Sequence, residues 1–157
     1  MKYKFPYQEQ YNRISRLRDE LNLYTVATDK NFEIALDKFT SFFIQCYHLR
    51  DWIINSGYLK SKVDKFVRSN TYLSLCRDLA NNQKHQKITK YVPANFVDFG
   101  IGISTPISRY YDYIKKQARF GIDVWEFKAP VDVIEVADRC LKSWQDFLLS
   151  LQLNAPN

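Results

Sequence analysis

One stretch concentrates the chemistry this chain can offer: Leu75-Cys76-Arg77-Asp78-Leu79-Ala80-Asn81-Asn82-Gln83-Lys84-His85, ending in one of only two histidines. Read as a helix with about 3.6 residues per turn, it brings Asp78, Asn81 and His85 onto one polar face. Tyr72, Leu75, Cys76 and Leu79 then mark the buried side. Such a triplet suits acid–base work, because an imidazole exchanges protons near neutrality while an amide and a carboxylate orient it. An ordinary solvated helix face has the same composition.

A second run, Cys46-Tyr47-His48-Leu49-Arg50-Asp51-Trp52, supplies another His, Arg and Asp. Cleaving RNA without a metal calls for a His to move the 2′-hydroxyl proton. It also calls for a cation to steady the phosphate as charge builds. His85 and His48, with Arg77, Arg50, Asp78 and Asn81, are those residue types. The bland alternative is that Arg50–Asp51 and Arg77–Asp78 are structural ion pairs and that His48 packs near Trp52. Lys84, Lys87 and Lys90, reinforced by Lys60, Lys62, Lys65 and Arg68, could contact an RNA backbone, whose phosphates dominate affinity. Tyr110, Tyr111, Tyr113 and Trp125 could stack on unpaired bases, although such rings more often cover a bundle or a subunit contact.

Metals and cofactors find little here. Cys46, Cys76 and Cys140 are widely spaced, form no CxxC pair and sit among apolar residues, as free core thiols do. Cys46 and His48 fall on different helix faces, and so do Cys76 and His85. There is no HExxH motif, and Gly100-Ile101-Gly102 lacks the rest of a phosphate-binding loop. The expectation is no metal and no cofactor.

Composition fits one domain over residues 1–157, with 46% hydrophobic residues, only 4 Gly and 5 Pro, and a net charge of +6. That mild basicity is compatible with a polyanionic partner such as RNA. The N-terminal residues have no apolar signal region and no segment approaches a membrane span, so a soluble cytoplasmic protein without membrane contact is expected.

The elements that must position these residues read mainly as helices. Tyr11, Ile14, Leu17 and Leu21 predict a helix over about 7–25, and Phe32, Leu36, Phe39, Phe43, Cys46, Leu49 and Ile53 predict one over 31–55. Gly57 follows as a left-handed C-cap. Shorter helices are expected over 59–68 and 71–88, the latter capped by Ser69-Asn70. From about 92 to 128 the period changes to two: Val97, Phe99, Ile101 and Ile103 alternate, and 110–114 and 122–127 read as strands around a loop at 115–121. Asp132 with Glu135 forms a capping box for the last helix, with Val131 and Val136 as its staple. The fold class is thus mainly α: an antiparallel helical bundle with a small antiparallel sheet inserted before the last helix.

The Cys-Tyr-His-Leu-Arg-Asp-Trp run on one long helix and the Asn-x-x-Lys-His ending of a later one resemble the HEPN superfamily. The resemblance spans about 7–90 plus the last helix. That family has compact helical bundles, usually homodimeric. Many members are metal-independent endoribonucleases of toxin–antitoxin and other defence systems, and some are non-catalytic binding modules. Its hallmark is an Arg, often followed by a polar residue, and then a His after four to six intervening residues. Arg77 and polar Asp78 match its start, and His85 arrives after seven intervening residues. On a straight helix positions 77 and 85 diverge by about 80°. The resemblance implies His85 as acid or base, Arg77 or Arg50 on the phosphate, and a homodimer. Its second implication is a module that binds a partner protein.

Overall fold

The computed structural model describes residues 5–84, 107–123 and 130–154, with backbone alone for 82–84. Helix α1 (Pro6–Glu20) starts on a proline, whose fixed φ and missing N–H suit a first turn. It ends earlier than its periodicity predicts. The Leu21 N–H turns back to the Arg18 carbonyl, and Leu21–Tyr24 tighten into a 3₁₀ turn. A small knot of hydrogen bonds between Thr28 and Asn31 then reverses the chain, with the Asn31 amide also donating to the Val26 carbonyl.

Helix α2 (Phe32–Asn55) is the spine of the molecule, burying Phe39, Phe42, Phe43, Cys46, Leu49 and Ile53. The expected stop is present, with Gly57 at φ +99°, where a side chain would strain the backbone. Helices α3 (Lys60–Ser69) and α4 (Thr71–Lys84) follow, and the Asn70 side chain caps α4 by accepting the Leu73 N–H at 3.0 Å. Helix α5 (Val133–Leu153) closes the bundle with its Trp144 ring fully buried. The indole Nε1 donates to the Cys46 carbonyl at 3.1 Å, and Phe66 of α3 stacks on Phe147 with ring centres 4.1 Å apart.

A three-stranded antiparallel sheet, in the order β1 (Ile107–Asp112), β2 (Gln117–Ile122), β3 (Val131–Asp132), precedes α5 as the sequence predicts. Its hairpin differs from the expected one. Residues 117–121, expected in the loop, form the second strand, and only 113–116 turn. The Asp112 carboxylate accepts the N–H groups of Ile114 and Lys115, and Lys116 takes a left-handed φ of +53°. Those local bonds close the reversal in four residues. Residues 124–127 of the expected strand, the 97–103 segment and Trp125 lie outside the described residues.

The sheet is pinned to the helices at both ends. The Phe120 ring meets Phe39 of α2 edge-on at 5.2 Å, and the Ala27 N–H donates to the Ala118 carbonyl at 2.8 Å. Asp132 does more than cap. It accepts the Ile134 and Glu135 N–H groups, the Tyr110 hydroxyl at 3.0 Å and the Arg119 guanidinium, and so joins all three strands to α5. Opposite Ser108, Gly121 lets the Tyr110 ring lie across β2; a Cβ there would stand 2.6 Å from it.

Candidate functional site

Helix α4 is enclosed on more than one side. Leu73, Ser74, Leu75, Cys76, Asp78, Leu79 and Ala80 are all buried, because α2, α3 and α5 pack around it. The polar face expected for Asp78 therefore has to be corrected: its carboxylate has no solvent exposure. One oxygen, Oδ1, accepts two hydrogen bonds from the adjacent Arg77 guanidinium, at 3.0 and 3.1 Å. The other, Oδ2, has no hydrogen-bond partner among the described residues. Burial pushes the Asp78 pKa up, and the charge and hydrogen bonds of Arg77 counter it only in part.

Arg77 also reaches the Ser74 hydroxyl at 3.3 Å and keeps about a quarter of its side chain, 26%, in contact with solvent. It is thus a cation held in one pose at the protein surface. Asn81 is half-buried further along the helix. His85, Lys87 and Lys90 lie outside the described residues, and Lys84 ends the described part of α4.

Helix α2 carries the second candidate arginine, Arg50. Tyr47, half-buried and with its pKa raised by burial, lies in the field of both Arg50 and Arg77. Arg50 itself is clamped by Asp64 of α3 and by Asp51, at 2.5 and 2.6 Å. The bond from Arg50, helped by Lys60, holds the Asp64 carboxyl down at about 2. His48 points elsewhere. It is exposed beside an open cavity of about 430 Å³ lined by Pro6, Asp51, Trp52, Asn55 and Ser56, and Arg13 sits over the Trp52 ring at 5.8 Å. The fold therefore ties Arg50 to Asp51 and Asp64, and sets His48 toward α1.

A different constellation was invisible in the sequence. Cys46 of α2, Cys76 of α4 and Cys140 of α5 are free and buried as expected, yet their three sulfurs lie within 4.8 Å of one another. The Cys76 thiol donates to the Phe43 carbonyl and the Cys140 thiol to that of Tyr72, each at 3.4 Å. Burial pushes the Cys76 and Cys140 thiols well above their ordinary range. Gaps of 30 and 64 residues carry no motif; only the packing of three helices brings these side chains together.

No helix among the described residues is long and apolar enough to cross a membrane. Comparison with protein-family models, with curated proteins and with solved structures gives no match for this chain.

Proposed function

We propose that this chain is a metal-independent endoribonuclease module of the HEPN type, with its chemistry on the α4 surface that leads to His85. The observation that carries this reading is the Arg77–Asp78 pair. A fully buried carboxyl with one oxygen unsatisfied among the described residues is costly to keep, and such groups concentrate at functional sites. Here it orients a guanidinium that still meets solvent, which is what holding a phosphate requires.

In this reading His85 takes the proton of a ribose 2′-hydroxyl. The 2′-oxygen attacks the adjacent phosphorus, and the bond to the 5′-oxygen breaks. The products are a 2′,3′-cyclic phosphate and a 5′-hydroxyl, the latter taking up a proton. Arg77 or Arg50 neutralises the charge that builds on the phosphate; Asp78 is a positioning residue for Arg77, and Asn81 orients His85 or the RNA. Lys84, Lys87 and Lys90 contribute phosphate contacts that weaken with salt. Two-fold pairing of chains would bring two copies of His85 toward one cleft. Incubation of the purified protein with RNA in excess chelator, read as cyclic-phosphate ends, tests the reading, and light scattering tests the pairing.

A second reading, a non-catalytic module that binds a partner protein, has its own support. Arg50 and Arg77 are both engaged with carboxylates. The hairpin tip meanwhile presents Tyr111, Tyr113 and Ile114 to solvent, Ile114 almost completely. That arrangement suits a docking surface. Under this reading His85→Ala leaves partner binding unchanged and RNA stays intact.

A further inference from the structure

The convergence of thiols in the core is independent of the ribonuclease reading. Cys46, Cys76 and Cys140 are the only cysteines in the chain, they come from three different helices, and all three meet. A buried residue touches only a fraction of its core neighbours, so a complete three-way meeting is not what scattered filler thiols would give. A point exists within about 2.8 Å of all three sulfurs. Thiolate bonds to a soft ion such as zinc measure about 2.3 Å, so movements of about half an ångström would let one atom bond all three.

We propose that Cys46, Cys76 and Cys140 form a three-sulfur site for a thiophilic element that takes three ligands, of the class of trivalent arsenic and antimony hydroxides. Charge decides the class. Three thiols and one arsenous acid exchange three protons and three hydroxides for three As–S bonds and three waters. No electron is transferred and no net charge is left in the core. A divalent ion on three thiolates would bury one negative charge, and a monovalent ion two, where among the described residues no His joins the cluster and no Lys or Arg acts on its thiols; unpaired buried charge is strongly unfavourable. Structural zinc also closes its shell with a fourth protein ligand, and among the described residues no fourth His, Cys, Asp or Glu joins this group. The neutral hydroxide, unlike an ion, can enter an apolar interior during helix breathing or folding. Once bound, it ties α2, α4 and α5 together.

The full chain, reduced, is incubated with arsenite both natively and during refolding, then read by intact mass and by thiol labelling after rapid denaturation. The expected result is one arsenic per chain with the loss of three protons, no labelled thiol, and a higher unfolding temperature in proportion to occupancy. Cys46→Ala, Cys76→Ala and Cys140→Ala, tested separately, should each abolish the three-proton adduct. Should one variant fail to fold, the wild-type mass and labelling still decide. No adduct, an adduct that spares one thiol, or preferential uptake of zinc or copper(I) over arsenite would each overturn the proposal.

Discussion

Two arginine–aspartate pairs in this fold share their chemistry and differ in their completion. Asp132 and Asp78 are both buried beside an arginine. Burial raises the pKa of Asp132, but bonds from Arg119, Tyr110 and the Glu135 N–H outweigh it and hold the group below the ordinary carboxylate range. Among the described residues Asp78 has Arg77 alone, on one oxygen, and its pKa rises. Burial sets the cost of a charge, and the number of donors decides whether that cost is met. The first pair is a joint between sheet and helix. The second leaves an interaction unfilled, next to the residues proposed to handle RNA.

The largest effect expected from this difference is at the joint. Asp132→Ala removes an N-cap and leaves Arg119 buried without its partner, and should cost about 3–5 kcal/mol in urea unfolding. A loss below about 1 kcal/mol would mean that Arg119 finds water instead. Gly121→Ala probes the same joint through Tyr110, whose ring must move off β2, and should cost about 1–3 kcal/mol.

Asp78→Asn should sit near zero, within about 1 kcal/mol at pH 7, because it removes a charge the fold disfavours while keeping an acceptor for Arg77. The pH dependence separates the two pairs. For Asp78 the folded pKa is above the unfolded one, so its contribution favours folding most at acid pH and declines as pH rises through the raised value. For Asp132 the sign reverses: stability is present above the ordinary carboxylate pKa and is lost as pH falls through the lowered one. Asp78→Asn should therefore gain on the wild type between pH 4 and pH 7. In the same variant RNA cleavage should fall, since Arg77 loses its charged anchor. Equal pH profiles for variant and wild type would erase the distinction.

How much of this was legible depends on how local each signal is. The stripe of Phe39, Phe43, Cys46, Leu49 and Ile53, the Gly57 stop and the Asp132 cap are set within a turn or two, and the sequence shows them. Arg119 was hidden because a charged residue between Lys116 and Gly121 reads as loop, while its real partner lies across the sheet. Asp78 read as exposed for a related reason. A one-sided helix is the simplest interpretation of Leu75, Cys76 and Leu79, whereas α4 is wrapped by three others. The thiol cluster is a property of packing alone. Of the candidate site, the ion pairs of Arg50 with Asp51 and of Arg77 with Asp78 join sequence neighbours, whereas the bond from Arg50 to Asp64 crosses from α2 to α3 and carries no local signal.

The central claim is that the α4 surface beyond Arg77 and Asp78 cleaves RNA through His85. Its most direct test compares wild type and His85→Ala on single-stranded RNA in excess chelator, with thermal unfolding measured alongside. The account predicts cyclic-phosphate products from the wild type and a loss of at least about two orders of magnitude in the variant, at unchanged unfolding temperature. Cleavage that survives His85→Ala, or a wild type that leaves every RNA intact, would contradict it and leave the partner-binding module standing.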